Sequence, residues 1–88
     1  MSDVTMRAKV RVGSVIPFQS EGVTTNERVV FHGVAKTGSY PADGSDENNT
    51  FAKFSPSVMF DMQIANPALI GKFEPGQTFY CDFTPAPS

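Results

Sequence analysis

"MRAKVRVGSVI", residues 6–16, places Met6, Ala8, Val10, Val12 and Ile16 at alternate positions and Arg7, Lys9, Arg11 and Gly13 between them. In an extended chain successive side chains point to opposite faces, so this order lays an apolar stripe on one side and a cationic stripe on the other; at the period of a helix the two sets would mix. The stretch therefore predicts a half-buried β-strand, closed by Pro17, which has no N–H to give to a ladder.

Working outward, "PFQSEGVTTNE" (17–27) is a polar connection with one glycine, long enough to predict an open hairpin loop. "RVVFHGVA" (28–35) reads as a second strand, with Val29 and Phe31 facing one way and Val30 and Val34 flanking His32 on the other. "SVMFDMQIAN" (57–66) gives a third, setting Val58, Phe60, Met62 and Ile64 against Met59, Asp61, Gln63 and Ala65. Asn66, Pro67 and Gly71 suit an N-cap, a first helical position and a C-cap, which predicts at most one short helical turn over 66–71. Pro75 and Gly76 suit the centre of a type II turn, and "TFYCDFT" (78–84) is a last strand with Phe79, Cys81 and Phe83 on one side and Tyr80, Asp82 and Thr84 on the other. The expected fold is a single domain over residues 1–88, all-β and mainly antiparallel, a small β-sandwich or partly open barrel.

A chain of 88 residues buries only about 60 to 65% of the surface that its unfolded form exposes, and its lone cysteine, Cys81, excludes an internal disulfide. Both faces of residues 28–35 and 57–66 carry apolar side chains, and one thin sheet covers only one of them, so a homo-oligomer is expected. The formal charge of −2 and pI of about 5.1 argue against general nucleic-acid binding through phosphate neutralisation. No apolar run approaches the roughly 20 residues that cross a bilayer, the first residues lack the pattern of a signal peptide, and a single thiol fits a reducing cytoplasm.

Arg7, Lys9 and Arg11 share one strand face at a spacing of about 6.6 to 6.8 Å, which suits a phosphate or carboxylate; the competing reading pairs them across strands with Asp61 and Asp82. The long loop "YPADGSDENNTF" (40–51) is rich in turn formers, with Tyr40 and Phe51 as anchors at its ends and solvated acidic residues between them. Its "DGSDENN" lacks the ligand spacing of a calcium loop, so no metal and no cofactor is expected. Cys81 between Phe79 and Phe83 sits where a thiol is inert, and no nucleophile pattern surrounds any serine, so neither joins His32 in a catalytic set. Of eight phenylalanines and two tyrosines, Phe18, Tyr40, Phe51 and Phe54 fall in connections, where rings can stack on a base or anchor a partner. The candidate ligand-binding set is Arg7, Lys9, Arg11, Tyr40, Asn48, Phe51 and Phe54.

The order "ENNTFAKFSPS" (47–57), "IANPALIGKF" (64–73) and "PGQTFYCDFTPA" (75–86) resembles small β-rich proteins of unknown role encoded by tailed bacteriophages. The likeness covers about half the chain, with a weaker match at "MRAKVRVGSV" (6–15), and carries over no functional residue. It implies either a non-enzymatic, homo-oligomeric binder in the host cytoplasm that sequesters a nucleotide-like small molecule or a host defence protein, or an accessory capsid or tail protein of the virion.

Overall fold

A computed structural model of the chain describes residues 4–87. Four strands form: β1 (Met6–Ser20), β2 (Val23–Gly33), β3 (Met59–Ile64) and β4 (Thr78–Phe83). They make one antiparallel sheet in the order β3-β2-β1-β4, with no helix among the described residues. The all-β reading holds, in the form of an open sheet. Residues 66–71 are a succession of turns in which Asn66 accepts from the N–H groups of Ala68 and Leu69. The 74–77 turn closes with Gln77 N–H donating to the Glu74 carbonyl, and Gly76 supplies the positive φ of 95° that the type II geometry demands.

One face of the sheet carries the core. Ala8, Val10 and Val12 of β1, Val29 and Phe31 of β2 and Ile64 of β3 are buried on it, and the connections lay Phe51, Val58, Ile70 and Phe73 over them. The sheet curls toward this side: Phe60 on one outer strand and Phe83 on the other bring their ring centroids to 6.2 Å, whereas the outer strands of a flat four-stranded sheet lie about 14 Å apart. The second layer stays partial. Extents of 55 × 34 × 15 Å and a radius of gyration of 15.7 Å, against about 12 Å for a compact domain of this length, describe a thin plate.

The strict alternation read from residues 6–16 breaks at Gly13. Val12 pairs with Phe31 and Ser14 with Val30, so one extra residue bulges from β1 and every later side chain changes face. Val15 takes the core side opposite Val29, and Ile16, expected in the apolar stripe, turns to the polar face and stays exposed. Glycine fits the bulge because the His32 ring lies where a side chain would begin.

Pro17 does not end β1, and 17–27 is not an open loop. Both strands run on to a two-residue turn, Glu21 and Gly22, with φ of 53° and 80°, the left-handed pair that a tight hairpin requires. Proline is tolerated because β4 pairs β1 only from Met6 to Arg11, which leaves β2 as the one strand beside the far half of β1 among the described residues. Residues 17–26 thus form a two-stranded arm, with Phe18 46% and Val23 63% exposed.

Candidate functional site

β2 stops at Gly33, opposite Val10, so residues 7–9 of β1 would have an unpaired edge. The 34–58 connection fills it. Thr50 exchanges bonds with Arg7, its N–H donating to the Arg7 carbonyl and its Oγ1 accepting from Arg7 N–H, while the Lys9 carbonyl accepts from Val34 N–H. Asn49, wholly buried, accepts from Lys9 N–H at 2.9 Å and donates to the Val34 carbonyl at 2.8 Å and to Asp46 Oδ2 at 3.1 Å. One side-chain amide stands in for a missing stretch of strand.

Asp46 is therefore not the solvated loop residue that the sequence suggests: it is 5% exposed. Burial works against its charge, but donation from the Asn49 amide and the N–H groups of Asn48, Lys36 and Asn49 outweighs that and holds its pKa below 3.8. The loop is clamped to β1, and Asn48 is held beside the polar face of the sheet.

On that face Arg7 lies opposite Asp82 and binds it through both carboxylate oxygens, at 2.6 and 2.9 Å. This bond raises the Arg7 pKa and lowers that of Asp82. The guanidinium also covers Tyr80, 4.5 Å from the ring centroid, and the Tyr80 hydroxyl donates to Asn48 Oδ1 at 3.1 Å. Asp61, the other proposed partner of the stripe, lies beyond β2 and binds Arg28 instead, at 2.5 and 2.9 Å. Lys9 and Arg11 have no carboxylate partner among the described residues. Lys9 stands opposite Tyr80, and Arg11 lies between Thr78 and His32 on the two neighbouring strands.

The candidate set thus divides. Arg7, Lys9, Arg11 and Asn48 share one surface. Phe51 lies on the other side of the sheet, where with Met6, Ala8, Val58, Phe60 and Phe83 it lines an apolar pocket of about 240 Å³ that only Arg7 of the stripe also borders. Tyr40 and Phe54 pair with each other, ring centroids 5.8 Å apart, in the loop, where the Phe54 ring covers Gly44. A larger hollow of about 470 Å³ follows the 45–53 loop and includes none of the three stripe cations. Lys9 and Arg11 line neither of these hollows, so the stripe as a whole does not join the loop aromatics in one concave site.

Half-buried Cys81 has its thiol pKa raised, by burial first and the Asp82 charge second, which keeps it protonated at neutral pH. No group of three or more His, Cys, Asp or Glu side chains suited to a metal occurs among the described residues. Tyr80 and His32 are the members of the polar-face cluster absent from the candidate set. Tyr80 sits at the right parity in "TFYCDFT", but only the β1–β4 register puts it beside Lys9. No helix of the described residues is long and apolar enough to cross a membrane. Compared with known proteins, the chain matches no family model, no curated protein and no solved structure.

Proposed function

We propose that the protein is a non-enzymatic binding module that recognises a nucleotide-like anionic small molecule on the polar face of its sheet and acts as a homo-oligomer. The observation that carries this reading is the charge surplus there. Asp82 neutralises Arg7 alone, and Lys9 and Arg11, with no carboxylate partner among the described residues, lie opposite Tyr80 and His32 on the neighbouring strands. A row of cations next to aromatic rings offers phosphate contacts and stacking together. Asn48, fixed by Tyr80, adds an amide at one end. The resemblance of residues 47–86 to tailed-phage proteins supports a setting in the host cytoplasm, where such a site would sequester a host molecule.

Calorimetric titration with a panel of nucleotides, using the Lys9→Ala/Arg11→Ala double variant alongside, tests the site. Affinity is expected to drop by at least about tenfold in the double variant and to weaken with added salt. Equal affinity for both proteins would remove the stripe from the site. The accessory capsid or tail reading draws support from one other observation, the arm at residues 17–26 with its exposed Phe18 and Val23. Co-sedimentation with assembled particles, lost on deletion of the arm, would favour it.

A further inference from the structure

Among the described residues no strand pairs with the outer edge of β4, and the direction of its free groups follows from β1. Arg7 and Lys9 turn their N–H groups to the loop, toward Thr50 Oγ1 and Asn49 Oδ1. Val12 turns its own to β4, donating to the Gln77 carbonyl at 2.8 Å. Antiparallel ladders alternate, so Ala8 with Cys81 and Val10 with Phe79 are the pairs that exchange bonds between β1 and β4. Thr78, Tyr80 and Asp82 then turn their N–H and C=O groups outward.

The sequence of this edge is symmetric. In Thr78-Phe79-Tyr80-Cys81-Asp82-Phe83-Thr84, threonine mirrors threonine and phenylalanine mirrors phenylalanine about Cys81, and the prolines nearest on either side, Pro75 and Pro85, bound the segment. No lysine, proline or bulge blocks it. Its one charge, Asp82, is already bound by Arg7. Although four of its six residues are aromatic or thiol-bearing, no residue of β4 is buried, and Phe79 and Phe83 remain 37% and 41% exposed.

We infer that two copies of the chain pair antiparallel through β4 about a two-fold axis at Cys81. The inference rests on the homo-oligomer reading above and names its surface. About this axis Tyr80 and Asp82 of the second copy form the bonded pair, which uses the groups that point outward. Phe79 meets Phe83 and Thr78 meets Thr84 of the second copy, the like-with-like contacts of an isologous interface. Cys81 faces its counterpart at a non-bonded position, where α-carbons of antiparallel strands lie about 4.5 Å apart, within the range a disulfide spans. A single strand from each copy is a small contact, below the roughly 800 Å² per partner of a standard interface, so the affinity is expected to be micromolar.

The test combines light scattering from about 1 to 200 μM, the range that such a contact implies, with copper-phenanthroline oxidation of the native and urea-unfolded protein. Expected are a dimer at the upper concentrations for the wild type and for Cys81→Ser, and a Cys81–Cys81 crosslink that forms faster in the native protein than in the unfolded one. Tyr80→Pro removes an outward N–H and leaves the backbone bonds to β1 intact, so it should abolish dimerisation. Thr84→Pro, outside β4, should weaken it by about tenfold and covers the case in which Tyr80→Pro misfolds. A dimer that gains no native crosslink, or that survives both proline variants, overturns the β4 interface and leaves self-association standing. A monomer across the whole range overturns both.

Discussion

Asn49 illustrates how much one buried side chain can decide. Replacing it with alanine leaves Lys9 N–H, the Val34 carbonyl and Asp46 short of a partner. At about 1 to 3 kcal/mol for each group left unsatisfied, Asn49→Ala is expected to destabilise the fold by about 3 kcal/mol or more, measured by urea unfolding. Gly13→Ala forces a methyl group into the His32 ring and is expected to cost about 1 to 3 kcal/mol. His32→Ala in the same chain should recover part of that loss in a double-mutant cycle; full additivity would separate the two residues. Neither role is legible in the sequence. Asn49 is one amide in a run of turn formers, and its two backbone partners, Lys9 and Val34, lie 40 and 15 residues away. A bulge glycine in an alternating strand looks the same as a glycine on the solvent side.

The strands themselves were largely legible, since period-two patterning at 6–12, 28–33, 58–64 and 78–83 is local information that burial on one face enforces. Their ends were less so. The continuation of β1 through Pro17 depends on where β4 stops, a fact of pairing and not of composition. The candidate site was legible as a stripe but not as a cluster, because cross-strand neighbours come from register. The arm has only two strands and little apolar cover, so backbone amides at 18–20 and 23–26 should exchange with deuterium far faster than those at Val10, Val12 and Val29. Similar protection in both groups would mean that the arm is covered in solution. Arg7→Ala exposes Asp82 and Tyr80, yet both members of the ion pair face solvent, so its urea midpoint is expected to stay close to that of the unaltered chain.

For the molecule as a whole, pH acts through its carboxylates. Asp43, Asp46, Asp61 and Asp82 all have their pKa values held below 3.8 in the folded chain, respectively by the Ser45 N–H, by the donors around Asn49, by Arg28 and by Arg7. When the chain unfolds, these groups take up protons at higher pH than they do when folded. Stability from this source is therefore complete above about pH 5 and drains away as pH falls through and below 4. Urea midpoints measured between pH 3 and 7 should rise with pH and level off at the upper end; a flat profile would mean that these contacts do not hold in solution. The connectivity also governs how the chain is made. β1 sits inside the sheet, yet its contacts with Thr50 and Asp82 join residues 43 and 75 positions apart. At about 5 to 20 residues per second, a nascent β1 waits about 4 to 15 s on the ribosome for its last neighbour, with one side bare and available to any other growing chain.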